Sequence, residues 1–470
     1  MIWTIDEILQ ATGGRLMYGA AETTFEGVGI DSRTIESGRL FVAIRGEKYD
    51  GHAFIDQVVD KGIKGLVVMA DATATEHYEQ WRARGIVCIG VADTTRALGA
   101  LAAFQRARSR IPVVAITGSN GKTTTRQMTS LVMAQRFNTL STQGNFNNEI
   151  GLPLTLFNLT AEHQAAVLEL GMNHPGEISR LGAICRPTIG MITNVGPGHL
   201  EFLGSLEGVA RAKAELIPCI DPHGTVVLNR DNAHVAAMAR DAGRPVLFFG
   251  TSERAQVRAR QIHDTDNGVS FDLLLPDGAI AVALKTPGRF MVANALAAAA
   301  AGHLAGLSPN EIKVGLEAFT PAKGRLHIVS TARGVSIIDD TYNANPASMA
   351  AALDTFEALR GTGPGTLILA DMLELGAQAD ALHREVGMLA GKTGAGRLYI
   401  HGPHAEVVSQ GAEQAGMARS AIFVGTKEEI VADAIRHLTA AHWVLVKGSR
   451  AMAMEAVVEA IRRWADGVQR

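Results

Sequence analysis

From Ile111 onward the chain alternates short apolar runs with segments long enough for a helix, and this rhythm limits the possible folds more than any other feature. The runs are Val113–Thr117, Ala165–Leu170, Thr188–Thr193, Thr225–Leu228 and Val246–Phe249. Continuous apolar strands, lacking the polar alternation of a half-solvated sheet, predict a mostly parallel sheet with helices on both faces. A ligand in such an open sheet sits at the carboxyl ends of the strands.

Two breaks divide the 470 residues. The basic stretch Arg106–Arg110 followed by Pro112 reads as a linker, because proline disfavours helix at the residue before it. Thr320, Pro321 and Gly324 mark the second break, after an Ala-rich helix. The expected α/β organisation is a small module over residues 1–108, a central doubly wound domain over 109–320 and a second, Rossmann-like doubly wound domain over 321–470. Domains of roughly 100–200 residues agree with that division. In the first module, Leu40–Ile44 and Gly65–Met69 read as strands and Thr95–Arg108 as a helix; in the third, Val335–Ile338, Thr366–Ala370, Leu398–Ile400, Ile422–Val424 and Trp443–Val446 read as strands.

Composition excludes several classes. A net charge of -3 gives no electrostatic basis for binding nucleic acid. Cys88, Cys185 and Cys219 form no CxxC pair and leave one thiol over, which argues against a disulfide framework or a zinc site and for a reducing cytoplasm. The start, Met1–Gln10, lacks the basic and apolar regions of a signal peptide. The run Met291–Leu307 is shorter than a membrane span and contains Asn294 and His303, so a buried helix is expected and no membrane insertion.

The strand Val113–Thr117 runs directly into Gly118-Ser119-Asn120-Gly121-Lys122-Thr123-Thr124 and then a helix-compatible segment. Glycines let backbone N–H groups turn onto phosphates, Lys122 adds a point charge, and the helix amino terminus adds its dipole. Thr123 offers a hydroxyl to Mg²⁺. The usual GxxxxGK[ST] spacing requires glycine where this chain has Ile116, so the loop is a shortened variant.

Polar groups recur at the other strand ends. Glu169 closes an apolar run, and beside a phosphate loop a carboxylate suits hard Mg²⁺. His199 follows the strand Thr188–Thr193, and Asn145, Asn147 and Asn148 form an amide-rich loop able to pair with peptide or sugar groups. Lys213, on the segment Gly208–Ile217, reads on its own as a solvated surface charge. At the second boundary Arg325 is placed to stabilise a transferring phosphoryl group. Beyond it Asp339–Pro346 ends a strand in acids, an aromatic and amides; an N-cap accounts for Asn345 but not for the whole string. Asp371 and Glu374, and Arg450 in Lys447-Gly448-Ser449-Arg450, also follow strands.

The strings TGSNGKTT, TNVGPGHLExLGS and DDxYNANP, with LADMLELG and VKGSR, resemble those of the Mur ligase family over nearly the whole chain. The resemblance implies ATP, bound by Gly118 through Thr124 with Asn294, Arg325, Asp340, Tyr342, Asn343 and Asn345. It implies Mg²⁺, two ions, held by Thr123, Glu169, His199 and a carbamylated Lys213. It gives catalytic parts to Lys122, Lys213, His199 and Arg325. Ser32, Arg33, Gly46 and Asp50, with the amide-rich loop, would hold the UDP-linked acceptor, and Asp371, Glu374 and Arg450 would face the incoming amine.

Within the family, GNFNNEIGLP and TNVGPGHLExLGS resemble the member that adds D-alanyl-D-alanine to UDP-MurNAc-tripeptide, and the Asp-Asn-Pro-Arg signature of the diaminopimelate-adding relative is absent. The expected protein is a cytoplasmic monomer that forms a peptide bond through an acyl phosphate. Two alternatives stand: another acid–amino-acid ligase of the same type, and a phosphate-loop switch or transport ATPase.

Overall fold

The structure, a computed structural model, describes residues 2–46, 49–71, 75–265 and 268–467. Among the described residues, three sheets of five, nine and six strands follow one another, with a two-stranded ribbon at the start.

The first sheet is ordered Arg15–Tyr18, Val87–Val91, Gly65–Met69, Leu40–Val42, Val28–Gly29. Only Arg15–Tyr18 runs antiparallel to its neighbour. The helix Thr94–Ala107 leaves this module, started by Asp93, whose side chain accepts from Thr95 N and Arg96 N. Arg106, the first residue of the expected linker, still lies in this helix. Arg106 is buried, and its guanidinium donates to the carbonyls of Cys185 (3.0 Å), Ser109 (2.5 Å), Ile111 and Arg186. Gln105 Nε2 donates to Leu159 O at 2.8 Å. An arginine saturated by backbone carbonyls in the interior docks the first module firmly on the central domain.

The central sheet is ordered Gly278–Leu284, Gly268–Leu275, Val257–Thr265, Val246–Gly250, Thr225–Asn229, Ile189–Ile192, Val113–Thr117, Ala165–Glu169, Thr139–Ser141. Its seven strands from Val257–Thr265 to Thr139–Ser141 are parallel; the last two join antiparallel. Alternation along Val113–Thr117 feeds two cores, Val114 and Ile116 into one and Val113 and Ala115 into the other. The Ala-rich run is the buried helix Phe290–Leu304. It packs with Lys122–Met133 and Pro309–Glu317 so closely that a Cβ on Gly302 or Gly315 would lie 2.6 or 2.5 Å from Val132 atoms. Among the described residues no helix is long and apolar enough to cross a membrane.

In the third sheet the order is His327–Ser330, Ser336–Asp340, Trp443–Lys447, Gly365–Ala370, Arg397–His401, Ile422–Val424, parallel except for the first pair. In the central sheet, strand Val113–Thr117 has the later strands Ala165–Glu169 and Ile189–Ile192 on its two sides. The crevice at its carboxyl end is therefore a topological switch point, and it faces the third domain.

Candidate active site

Two glycines fix the loop after Val113–Thr117. Gly118 has φ +155° and Gly121 φ +78°, and a Cβ at either would lie 1.9 Å from Thr193 Oγ1 or 2.3 Å from Asn294 Oδ1. Only glycine fits that backbone and those neighbours. The next strand end braces the loop: Ser119 N donates to Asn194 O (3.0 Å), Asn120 N to Asn194 Oδ1 (2.8 Å) and Thr193 Oγ1 to Asn120 O (2.7 Å). Lys122 Nζ curls back onto Gly118 O at 2.7 Å. The shortened loop thus has its shape imposed by Thr193 and Asn194 and by the helix carrying Asn294. Burial lowers the Lys122 ammonium from its ordinary range, Glu169 raises it and Arg325 lowers it again.

Glu169 is buried at the end of its strand, where Oε1 accepts from Thr123 Oγ1 (3.2 Å) and Asn147 Nδ2 (2.9 Å). Its Oε2 lies 3.5 Å from Arg126 Nε but makes no hydrogen bond. A buried carboxylate oxygen left open beside a threonine hydroxyl suits a hard cation. Lys213 is far from the solvated charge its sequence suggested: it is 1% exposed, and among the described residues its ammonium has no hydrogen-bond or ion-pair partner. Burial drives its pKa well below the ordinary range, and the charge of Lys122 adds to that. A lysine so placed holds its charge less readily than a solvated one.

The third domain supplies the opposite wall. Arg325 lies over the Tyr342 ring, 4.0 Å from its centroid, and Arg450 approaches the same ring at 5.8 Å. Lys447, 2% exposed, donates to Asp340 Oδ2 (2.5 Å) and Asn343 O (2.9 Å). Asn345 both caps the helix Pro346–Arg360, accepting from Ser348 N, and donates Nδ2 to Asn120 Oδ1 at 2.7 Å. One amide therefore joins the helix start of one domain to the phosphate loop of another.

A cleft of about 800 Å³ runs between these walls. Ser119 to Thr124, Glu169, His199, Asn294, Arg325, Asp340, Tyr342, Asn343, Asn345, Asn147 and Asn148 line it, joined by Thr95 from the first module. His199 meets Glu374, its Nδ1 2.6 Å from Oε2, and that contact, more than burial raises it, lowers the Glu374 carboxyl.

The remaining expected residues stand apart from the cleft. Arg33 pairs with Asp31, Gly46 N donates to Tyr49 O (2.9 Å), and Ser32 is buried. Asp50 is raised by burial but lowered further by the His52 amide and ring and by Arg45, ending at about 2. Asn145 is exposed outside the cleft. Asp371 is 1% exposed and is engaged with His404, Nδ1 to Oδ2 2.9 Å, so it supports the strand end and does not reach toward the cleft. Sequence reasoning passed over Arg126 and met Asn194 and Lys447 only inside longer strings, with no role of their own. Lys447, the last residue of an apolar strand, carried the same signal that marked Glu169.

A phosphate loop at the switch point of one doubly wound sheet, faced by arginine, lysine and amides from another, defines a phosphate-loop nucleotide enzyme closed by its last domain. Three successive stretches match "Mur ligase family, catalytic domain" over residues 24–106, "Mur ligase middle domain" over 116–302 and "Mur ligase, glutamate ligase domain" over 324–450. The chain belongs to the Mur ligase family. It is 36% identical over 463 residues to the UDP-N-acetylmuramoyl-tripeptide--D-alanyl-D-alanine ligase of Escherichia coli, covering 98% of each chain. Among solved structures it resembles MurF from Acinetobacter baumannii, with a TM-score of 0.90, 33% identity and coverage of 98% of this chain and 99% of that one. It also resembles MurF ligase from Thermotoga maritima in complex with ADP, with a TM-score of 0.83, 25% identity and coverage of 94% and 98%.

Proposed function

We propose that this chain joins D-alanyl-D-alanine to the terminal carboxylate of UDP-MurNAc-tripeptide, converting ATP to ADP and phosphate. The observation that carries the reading is the convergence of three domains on one cleft, with the phosphate loop and Glu169 on one wall and Arg325, Lys447 and Asn345 on the other. Full-length similarity to the E. coli ligase supports the choice of substrates.

The chemistry is two displacements. The acceptor carboxylate attacks the γ-phosphoryl group of ATP, giving ADP and an acyl phosphate. The neutral amine of the dipeptide adds to the acyl carbon, and the tetrahedral adduct expels phosphate as the nitrogen loses its proton. The phosphate loop and Asn294 orient the triphosphate, with Tyr342, Asn343 and Asn345 on its nucleoside side. Lys122 and Arg325 reduce the repulsion between two anions as they meet. Thr123, Glu169, His199 and a carbamate on Lys213 would hold Mg²⁺, whose chemistry is to neutralise phosphate charge. The open Oε2 of Glu169 and the unpartnered amine of Lys213 fit that assignment. Ser32, Arg33, Gly46, Asp50 and the loop Asn145–Asn148 hold the acceptor, and the segment around Glu374 and Arg450 receives the amine. Closure of the third domain keeps water from the acyl phosphate. Action as a cytoplasmic monomer is part of the same proposal, and three free cysteines, two of them buried, agree with a reducing compartment.

Phosphate release from ATP, measured with the UDP-linked tripeptide and a panel of amines, tests this. Release coupled to pentapeptide formation is expected with D-alanyl-D-alanine. Turnover with diaminopimelate or lysine in its place and none with the dipeptide would assign another ligase, and acceptor-independent ATP hydrolysis without peptide product would assign a switch or transport ATPase.

A further inference from the structure

The third domain meets the central one at a second place besides Asn345. Glu374 Oε2 lies 2.6 Å from His199 Nδ1, Glu201 N donates to Glu374 O at 3.2 Å, and a Cβ on Gly376 would stand 3.3 Å from Glu201 Cα. His199 and Glu374 are both non-glycine residues in the left-handed region, at φ 57° and 63°. Such backbone persists only where its surroundings enforce it.

The enforcement on the Glu374 side is a buried cluster. Leu373 N donates to Ser449 Oγ (2.9 Å) and Met372 N to His383 Nε2 (3.0 Å), while His383 Nδ1 bonds Ala379 O (2.7 Å) and Asp371 holds His404. Asp371, His383 and His404 bring their ligand atoms within 4.8 Å of one another, close enough to suggest a cation site. Their chemistry argues otherwise. Both His383 nitrogens are committed to backbone groups, and its ring stacks on His404 at 4.3 Å and 8°, so the two rings' in-plane lone pairs run parallel and do not converge. The cluster is a support that pins successive amides and delivers Glu374 to His199.

The direction of a metal-binding histidine ring depends on what meets its other nitrogen. In this chain the engaging carboxylate comes from a different domain. Nδ1 makes no in-line hydrogen bond, and the carboxylate 2.6 Å away limits where the ring can turn. We propose that Glu374 is the positioning residue for the His199 imidazole, so that seating the third domain and aligning His199 for a cation are one event. The inference rests on the ligase reading with His199 as a metal-binding residue.

The test is Mn²⁺ binding to the full chain with ADP, followed by electron paramagnetic resonance, for wild type, His199→Ala, Glu374→Gln and the double variant. Alongside it, the Mg²⁺ concentration for half-maximal rate and KM for D-alanyl-D-alanine are measured. Glu374→Gln is expected to weaken one Mn²⁺ about tenfold or more, as loss of a partner to a metal-binding histidine does. It should raise the Mg²⁺ requirement in step, whatever it does to KM for the dipeptide. In the His199→Ala background it should add nothing. Wild-type Mn²⁺ affinity in Glu374→Gln, with the site lost in His199→Ala, overturns the inference alone, as does a raised dipeptide KM with an unchanged Mg²⁺ requirement. Full metal binding in His199→Ala overturns it together with the metal reading beneath it.

Discussion

Lys213 tests the residue-scale account most sharply, because a buried amine without a partner is a cost to the fold unless it has work to do. Replacing it with methionine, similar in volume and apolar, removes that cost. Lys213→Met is expected to hold or raise the thermal midpoint while kcat falls about 100-fold or more, the scale of losing one group that stabilises developing charge. Calorimetry and the phosphate-release assay check the two halves, and an unchanged kcat would leave Lys213 without a catalytic part. Glu169 was legible as a carboxylate closing an apolar strand, whereas Lys213 reads as surface until its helix is packed. Asn194 was hidden for a different reason: its side chain and carbonyl brace a loop 74 residues away in sequence, and no local pattern records that.

Elements with continuous apolar cores were readable; those without were not. The strands Val257–Thr265 and Gly278–Leu284 escaped because they extend the sheet at its edge and are partly solvated, with polar residues such as Arg258, Arg260 and Asp264 along them. Thr139–Ser141 is too short to carry a period. Close helix packing under the phosphate loop was visible only as Ala and Gly content. Gly315→Ala places a Cβ 2.5 Å from Val132 Cα, a backbone atom that cannot turn aside. The cost is expected to be about 1–3 kcal/mol, as for other overpacked cores, read as a lower apparent unfolding midpoint by circular dichroism. At the helix start, Asn345→Asp keeps an acceptor for Ser348 N but removes the donor to Asn120. It should leave stability intact and raise KM for ATP about fivefold to tenfold, equivalent to one hydrogen bond of ~1 kcal/mol. An unchanged KM would mean that the bridge to the phosphate loop is incidental.

For the whole molecule, the first sheet gives way to the central one between Val91 and Val113, and the central one to the third between Leu284 and His327. At the first junction Arg106 and Gln105 dock the first module on the central domain. The other wall of the cleft is the third domain, which meets the central one through Asn345 and Glu374. Such a cleft is suited to activating an acid and then admitting an amine. The most direct test is to label the acceptor's terminal carboxylate with ¹⁸O, add ATP and D-alanyl-D-alanine, and weigh the released phosphate. One ¹⁸O per phosphate, formed in step with the pentapeptide, is the predicted result; unlabelled phosphate would contradict attack by the acceptor carboxylate on ATP.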